Sequence, residues 1–326
     1  MCDSWRKDAK DELDTATSLA MVRTLPKSVS MVRLTGGEPF VRKDLAILVN
    51  EIQDHLRPGF LHVTTNGFLT EEIVSFLEAR ASRGSSRLQL LLSLDGAKES
   101  HDRIRGRSFA FDSAMATLKA VAKSRRRWKV DLAVNQTIVD PRGIEEYGEL
   151  HEALSSLEVP HHVVVAYAES ATYSTSANVD VAPRHPGEFR TVVPLDPHTV
   201  DAFLRRLDQD LSRLPRSSRL AKSYYYRGLR GRLLEGKAWP NPRCEALTGH
   251  LRIFPDGSVP VCQFNSASVG NLARDGFDAV WNGEEIRRRR DWVRACPGCW
   301  AECEVIPSAV LGGDVAGFLS AKEVVS

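Results

Sequence analysis

The chain has 326 residues, of which 42% are hydrophobic and 26% are charged; this composition excludes disordered and fibrous proteins, and the length allows about two domains. Its 44 Lys and Arg residues against 42 Asp and Glu leave a formal net charge of +2, which is too balanced to indicate binding to the phosphate backbone of a nucleic acid. No apolar run approaches the roughly 20 residues of a membrane span and the first residues lack an apolar signal core, so we expect a cytoplasmic protein with no nucleic-acid or membrane partner.

Residues up to about 167 alternate between helical and strand periodicity. The continuous apolar runs Leu90-Leu91-Leu92 and Val163-Val164-Val165 are typical of strands in a parallel sheet that is covered on both faces. The alternation predicts an α/β fold, either a β/α barrel or a doubly wound sheet, and both place a ligand site at the carboxyl ends of the strands. Strands are predicted near 29–34, 60–64, 88–94, 129–134 and 161–167, and helices near 6–25, 41–54, 70–83, 109–125 and 144–156.

The second half of the sequence has a different organisation. Residues 170–196 lack periodicity and are rich in Ser, Thr, Pro and His, which predicts a long loop. Two helices are predicted near 197–213 and 217–235. Residues 251–261 then predict a β-hairpin whose turn lies at Asp256-Gly257.

The six cysteines are unevenly distributed. Cys2 stands alone, whereas Cys244, Cys262, Cys296, Cys299 and Cys303 all lie near the C-terminus. A disulfide framework is typical of short secreted chains, and nothing in this sequence directs secretion. Two cysteines that flank a hairpin, together with a Cys-x2-Cys pair, can bring four thiolates to one point, which suits zinc or an iron–sulfur cluster. We therefore predict a metal or iron–sulfur site, with free structural cysteines as the alternative.

Glycines and short polar residues follow the predicted strands. The first strand is followed by Gly36-Gly37-Glu38, the second ends in Thr64-Thr65-Asn66-Gly67, and the third ends in Ser93-Leu94-Asp95-Gly96. Adjacent glycines let a backbone approach a ligand closely, and a carboxylate beside exposed carbonyls suits an ammonium group. The Asn, Ser and Asp side chains suit ribose hydroxyls. Taken singly, however, each segment favours a simple turn.

Taken together, these segments resemble the radical S-adenosylmethionine (SAM) superfamily. Leu34-Thr35-Gly36-Gly37-Glu38-Pro39 looks like its G-G-E-P motif, and the two later segments, with His101 to Gly106 downstream, are similar to the blocks that follow in that family. The resemblance implies a partial, six-stranded β/α barrel that binds SAM. It assigns Gly36, Gly37 and Glu38 to the methionyl amine, Ser93 and Asp95 to the ribose or carboxylate, Asn66 to a supporting contact and Arg105 to the carboxylate.

The N-terminus departs from this family. In the superfamily a C-x3-C-x2-C motif follows the first barrel strand and binds three irons of a four-iron cluster. Met1-Cys2-Asp3-Ser4-Trp5 resembles the end of that motif, so the resemblance implies Cys2 as one ligand and a barrel that lacks its first strand. One thiolate cannot replace three. We therefore expect the catalytic cluster only if the missing cysteines are supplied upstream, and we expect that Met1 is not the true beginning.

The C-terminal cysteines resemble the extension called SPASM, or Twitch in its shorter form. The spacing Cys244-x12-Gly257-x4-Cys262 and the later Gly270-Asn271-Leu272 are similar to segments of that family. A full SPASM domain holds two auxiliary clusters and needs seven or more cysteines, so this resemblance implies one auxiliary cluster here. It would be bound by Cys244, Cys262 and two of Cys296, Cys299 and Cys303, and the tight x2 spacing favours Cys296 and Cys299.

The resemblance also implies an activity. A radical SAM enzyme cleaves SAM reductively and abstracts hydrogen from a substrate, here a peptide or a small molecule, with a donor such as flavodoxin or ferredoxin. The protein itself positions the substrate and excludes water. The implied domains are a partial barrel at 1–195, a helical linker at 196–238 and a small, cysteine-rich α+β domain with a hairpin at 239–326.

Two questions stay open at this point. The sequence identifies no substrate base, although Asp131, Tyr167 and Glu169 lie on or just past predicted strands. Other function classes also remain. One alternative is a non-catalytic metal- or cluster-binding scaffold, and a weaker one is a phosphate-binding barrel enzyme without redox chemistry.

Overall fold

The computed structural model describes residues 11–83, 87–168 and 189–320, except the side chains of 319 and 320. These residues form two compact units. The first comprises residues 14–166, and the second comprises residues 11–13 and 167–320. Cys2, Glu169 and most of the predicted loop at 170–196 lie outside the described residues. Across the described ranges, no helix combines the length and apolar character that a membrane crossing requires.

A parallel sheet forms the centre of the first unit. Its five strands lie in the order of the sequence, and each is paired with the next. The arrangement confirms the predicted α/β class with a partial barrel. The strands are β1 (Met31–Leu34), β2 (Phe60–Thr65), β3 (Leu88–Ser93), β4 (Val130–Ile138) and β5 (His161–Val165), and the helices are α1 (Thr15–Thr24), α2 (Leu45–His55), α3 (Thr70–Ser82), α4 (Lys98–Arg105), α5 (Ala110–Trp128), α6 (Pro141–Glu145) and α7 (Tyr147–Ser156).

The two faces of the sheet differ in polarity. Leu88, Leu90 and Leu92 of β3 are 0% exposed and share one hydrophobic core with Leu118 of α5. Because successive strand side chains point to opposite faces, Ser93 and its alternating neighbours lie on the face away from these helices. The helix-covered face thus provides the core, and the other face carries the polar residues near the strand ends.

The second unit combines helices with one antiparallel hairpin. The hairpin pairs β6 (Ser258–Cys262) with β7 (Asn265–Asn271). Tyr224, Tyr225 and Tyr226 are almost fully buried. The helices are α8 (Pro197–Asp210), α9 (Arg216–Leu234), α10 (Leu272–Asp275), α11 (Phe277–Trp281), α12 (Glu284–Arg294), α13 (Glu302–Leu311) and α14 (Asp314–Ser320).

The hairpin confirms the predicted class of this unit, but the predicted strand positions were wrong. Residues 251–254 form no strand, and the two strands of the hairpin are joined at residues 263–264 instead. The predicted Asp256-Gly257 turn does form, since the Gly257 N–H donates to Phe254 O at 2.9 Å. It leads into β6 and does not connect two paired strands.

The sulfur of Cys262 explains why the real turn escapes prediction. Residues 263–264 are Gln and Phe, which carry no turn signal. The backbone N–H groups of Phe264 and Asn265 both hydrogen-bond the Cys262 sulfur, and the Gln263 N–H donates to Glu304 Oε1 at 2.8 Å. Side chains from outside the turn residues therefore satisfy its backbone, and no glycine is needed.

Candidate cofactor-binding sites

The backbone after β1 is open to a ligand. Gly36 has a φ of +134°, which L side chains rarely adopt, and a Cβ on either Gly36 or Gly37 would meet no atom within 4 Å. Both glycines are exposed. The Glu38 side chain then caps a short 3-10 helix by accepting a hydrogen bond from the Phe40 N–H at 3.2 Å. The backbone carbonyls of this segment are thus accessible beside a fixed carboxylate.

Glu38 also reaches the end of the neighbouring strand. Its Oε1 accepts a hydrogen bond from Thr65 Oγ1 at 2.8 Å, and its Oε2 accepts one from the Asn66 N–H at 2.7 Å. Burial raises the pKa of Glu38, while these hydrogen bonds and the charge of Arg105 act in the opposite direction. A carboxylate has about four acceptor positions, so three protein hydrogen bonds leave room for one further donor such as an ammonium group.

Asn66 acts within this site mainly through its backbone. Its side-chain Oδ1 accepts a hydrogen bond from the Phe68 N–H at 2.9 Å, which closes a turn. The next residue, Gly67, has a φ of +75°, and a Cβ there would lie 2.8 Å from Leu92 Cδ1. This segment is therefore a tightly packed turn that orients Glu38, consistent with a supporting contact.

Asp95 follows β3 and is fully buried. Its Oδ1 accepts a hydrogen bond from the Thr137 N–H at 3.2 Å, and its Oδ2 lies 2.7 Å from Arg105 Nη2 in an ion pair that lacks hydrogen-bond alignment. The Asp95 N–H donates to His101 Nδ1 at 3.0 Å. Burial lowers the pKa of His101 to about 4, so this ring is neutral at pH 7. Asp95 is thus the buried partner of Arg105, whose side chain is 22% exposed.

We expect Asp95→Ala to lower the free energy of unfolding by about 3 kcal/mol, because it leaves Arg105 without its buried partner. Chemical denaturation with urea measures this change. Asp112→Ala is the matched control, since its ion pair with Lys98 is about half exposed on both sides and is expected to contribute less than about 1 kcal/mol. Equal losses in both variants would contradict a structural role for Asp95.

A row of polar residues crosses the face of the sheet that points away from the helices. Ser93 is in register with Asn135 of β4, and Asn135 is in register with His162 of β5. Ser93 is partly exposed, and no hydrogen bond of its hydroxyl is present among the residues that the structure describes. His162 was missed by the sequence analysis because it opens an apolar run. The signal that can find it is the period of two, which places His162 and Val163 on opposite faces.

Two of the candidate substrate bases, Asp131 and Tyr167, lie in different units of the structure. Asp131 is the second residue of β4 and therefore lies away from the carboxyl ends of the strands. It forms an ion pair with Arg87. Tyr167 lies in the second unit, where it contacts the Phe264 ring at a centroid distance of 5.4 Å. Asp131 therefore does not belong to the strand-end group around Glu38.

Four cysteines of the second unit line one cavity. Cys303 is absent from its wall. Its sulfur lies 3.1 Å from Arg252 Nη2 and 3.6 Å from Gln263 Oε1. The lining residues are Cys244, Cys262, Phe264, Trp292, Val293, Cys296, Gly298, Cys299 and Glu304.

The backbone around these four thiols follows one pattern. Each sulfur accepts a hydrogen bond from the backbone N–H two residues further along the chain, and the donors are Ala246, Phe264, Gly298 and Ala301 for Cys244, Cys262, Cys296 and Cys299. Backbone donors to sulfur stabilise a thiolate and, in a cluster, help to set its reduction potential. The pattern therefore gives each of these four sulfurs a backbone donor that would stabilise its thiolate form.

The charges at this cavity oppose four free thiolates. Burial raises the pKa of all four thiols, to about 11 for Cys244. A bound metal centre removes that penalty because it holds the sulfurs deprotonated. Among the described residues, no three His, Cys, Asp or Glu side chains are close enough to hold one ion, as zinc would require at about 2.3 Å from each sulfur. Four cysteine sulfurs around one cavity are a donor set that suits a thiolate-bound centre such as an iron–sulfur cluster.

Trp300 anchors the cysteine segment to α9. It is 1% exposed, its Nε1–H donates to Tyr225 O at 3.1 Å, and its ring stacks on the Tyr225 ring at a centroid distance of 6.1 Å. The Arg232 guanidinium lies 4.0 Å from the ring centroid on Trp300. Because Trp300 directly follows Cys299, this packing fixes the position of that thiol.

Two family models match the chain. The model described as the radical SAM superfamily matches residues 1–154, and the one described as an iron–sulfur cluster-binding domain, SPASM, matches residues 244–303. The strand-end site lies inside the first range and the cysteine cavity inside the second.

Curated relatives agree with these matches. An AdoMet-dependent heme synthase from Methanosarcina barkeri is 27% identical over 82% of this chain and 76% of that protein. A GTP 3',8-cyclase from Campylobacter jejuni subsp. doylei is 38% identical, but the match spans only 23% of this chain and 23% of the cyclase.

Solved structures share the fold. anSMEcpe with bound AdoMet and the Kp18Cys peptide has a TM-score of 0.55 at 16% identity, covering 85% of this chain and 74% of that one. SuiB from Streptococcus suis bound to S-adenosylmethionine has a TM-score of 0.53 at 17% identity, covering 86% of this chain and 59% of that one. With both family models matched over the sites described above, the chain carries a radical SAM superfamily domain at residues 1–154 and a SPASM iron–sulfur cluster-binding domain at residues 244–303.

Proposed function

We propose that this protein is an enzyme that cleaves SAM reductively, abstracts hydrogen from a substrate and holds one auxiliary four-iron cluster. The observation that carries the proposal is the Glu38 carboxylate, which is held by three hydrogen bonds at the carboxyl edge of the sheet with an acceptor position left over. A reduced four-iron cluster, when bound, supplies the electron for SAM cleavage. The chain itself contributes SAM binding, orientation and exclusion of water.

The proposed SAM site uses the strand ends. Glu38 and the carbonyls of Gly36 and Gly37 bind the methionyl ammonium, Ser93 binds a ribose hydroxyl, and Arg105 binds the methionyl carboxylate. Asp95 orients Arg105, and Asn66 orients Glu38, as their contacts support. These assignments give the ammonium and the carboxylate of the methionyl group an opposite charge or a hydrogen-bonding partner.

The proposed auxiliary cluster is bound by Cys244, Cys262, Cys296 and Cys299. The shared cavity and the four N–H donors support this choice over Cys303. Cys2 is proposed as one ligand of the catalytic cluster, which needs two more thiolates than residues 1–243 contain.

Glu38→Ala is expected to weaken SAM binding at least about tenfold, because a hydrogen bond to a charged group contributes about 1.5–3 kcal/mol. Isothermal titration calorimetry of SAM with the anaerobically reconstituted protein measures the change. Glu51→Ala is the control, since Glu51 on α2 forms an exposed ion pair with Arg23 on α1 and its loss should leave the affinity unchanged. An unchanged affinity in Glu38→Ala would remove Glu38 from the proposed site.

The substrate is proposed to be a peptide or a small molecule. The peptide in the anSMEcpe structure supports the first choice only by analogy of fold. We propose a flavodoxin or ferredoxin as electron donor and a cytoplasmic location. Incubation with candidate substrates and deuterium-labelled analogues, followed by detection of deuterium in 5′-deoxyadenosine, identifies the substrate class.

A non-catalytic cluster-binding scaffold remains the second candidate, because residues 1–243 contain a single cysteine. The formation of 5′-deoxyadenosine distinguishes the enzyme from the scaffold. The enzyme forms 5′-deoxyadenosine from SAM under dithionite when its catalytic cluster is complete, whereas the scaffold forms none above the rate of the Glu38→Ala variant. An in-frame Cys-x3-Cys in the coding sequence just ahead of Met1 would favour the enzyme.

A further inference from the structure

Glu304 is a buried carboxylate on the wall of the cysteine cavity. It lies near the start of α13, is 2% exposed, and lines the cavity with Cys244, Cys262 and Cys299. We propose that the buried Glu304 and the partly exposed Arg252 form a charge pair that sets the reduction potential of the auxiliary cluster. This proposal rests on the proposed function, because it assumes that the four thiols bind a cluster.

The Glu304 carboxylate is held in place from three sides. Arg252 Nε donates to Oε1 at 2.9 Å, and Arg252 Nη2 also lies 2.8 Å from that atom. The Gln263 N–H contacts the same oxygen at 2.8 Å, and His250 Nε2 lies 2.7 Å from Oε2. These contacts lower the pKa of Glu304 to about 2 despite its burial, so the side chain is an anion at pH 7.

The negative charge of Glu304 reaches the thiols. Its carboxylate lines the same cavity as Cys244, Cys262 and Cys299, and charges interact strongly where water is excluded. Arg252 is not among the residues that line the cavity. The Glu304 carboxylate therefore faces the proposed cluster position. The Arg252 guanidinium contacts this carboxylate but does not line the cavity.

A field that disfavours thiolates also disfavours an extra electron on the cluster they bind. Reduction adds one negative charge to the cluster, and charges interact strongly where water is excluded. The Glu304 anion should therefore hold the reduction potential at a more negative value, whereas Arg252 should move it in the positive direction. Cluster potentials are known to respond to nearby charge and to hydrogen bonds at sulfur.

Glu304 and its helix also position the backbone next to two of the proposed cysteine ligands. The Gln263 N–H that donates to Glu304 directly follows Cys262. On the same helix, Ser308 Oγ accepts a hydrogen bond from the Glu245 N–H at 3.0 Å, next to Cys244. α13 thus holds the backbone beside two of the proposed ligands, so the test has to separate charge from position.

The test is an EPR-monitored redox titration of the reconstituted protein, following the cluster signal that added SAM leaves unchanged. Glu304→Gln keeps the size of the side chain and removes its charge, so we expect a shift to a more positive potential. Arg252→Gln removes the opposing charge, so we expect a shift to a more negative potential. Glu302→Gln is the control, because Glu302 pairs with Lys222 and does not line the cavity; its potential should match the wild type.

Each outcome decides between the proposals. Opposite shifts in the two variants support the charge pair, whereas equal potentials in loaded Glu304→Gln and wild type overturn it and leave the cluster assignment intact. Shifts of the same sign, or loss of the cluster from both variants but not from Glu302→Gln, assign the pair to cluster assembly and overturn the effect on potential. A wild-type protein that binds no four-iron cluster overturns the proposed function itself.

Discussion

Cys262→Ala is expected to lower the iron content of the anaerobically reconstituted protein from about four atoms per chain to less than about one, since a four-iron cluster normally requires all of its thiolates. Cys262 is the most buried of the described cysteines, at 9% exposure. Its sulfur receives two backbone N–H donors, so no nearby side chain replaces it without rebuilding the turn. Iron and acid-labile sulfide analysis, with the visible absorption spectrum, measures the loss.

Cys303→Ala is the matched control for this prediction. Cys303 lies four residues beyond Cys299, in the first turn of α13, and its sulfur contacts Arg252 and Gln263, which do not line the cavity. The variant should retain about four irons per chain. The opposite pattern, in which Cys299→Ala retains iron and Cys303→Ala loses it, would show that Cys303 is the fourth ligand.

Gly228→Ala is expected to destabilise the second unit by about 3 kcal/mol, although alanine is the better helix former by about 1 kcal/mol. A Cβ at Gly228 would lie 1.8 Å from Trp300 Cζ2 and 2.2 Å from Cε2. The indole cannot move aside easily, because Tyr225 stacks on it and Arg232 lies over it. We also expect weaker cluster retention, since Trp300 directly follows Cys299.

Gly317→Ala in α14 is the control for this substitution. Its Cβ would meet no atom within 4 Å, so only helix propensity acts, with a gain of up to about 1 kcal/mol. Urea unfolding of both variants measures the difference. If Gly228→Ala is as stable as wild type, the close packing of Trp300 on α9 would be refuted.

Much of the first unit was predictable because its physical signals are local. The apolar run at Leu90-Leu91-Leu92 predicts a strand of a parallel sheet, and the structure contains that strand as β3. Parallel strands bring their carboxyl ends to one edge, so the segments around Glu38, Asn66 and Ser93 were expected to be neighbours. The hydrogen bonds from Thr65 and Asn66 to Glu38 join two of these segments.

The roles of individual side chains were less predictable, because burial depends on contacts distant in sequence. Asp95 looks like a ligand-binding residue in the sequence, yet it is fully buried against Arg105 and Thr137. His162 is hidden in an apolar run, although it shares a register row with Ser93. Neither fact follows from the spacing of residues along the chain.

The cysteine region shows a second limit. The sequence predicts a hairpin, but the turn is stabilised by the Cys262 sulfur and by Glu304. Glu304 accepts a hydrogen bond from the Gln263 N–H, 41 residues away in the sequence. Glu304 itself carries no sequence signal, since it is one acidic residue among many. Its importance comes from the cavity that it shares with the thiols.

We propose that this SAM-binding protein holds one auxiliary cluster with four cysteine ligands. Mössbauer spectroscopy of the protein reconstituted with ⁵⁷Fe, with and without SAM, tests it most directly. We predict one cluster of about four irons per chain in the C-terminal domain whose spectrum does not change with SAM, because no iron in it is open to the cofactor. A spectrum of mononuclear iron, or a cluster at these four thiols that changes when SAM binds, would contradict the claim.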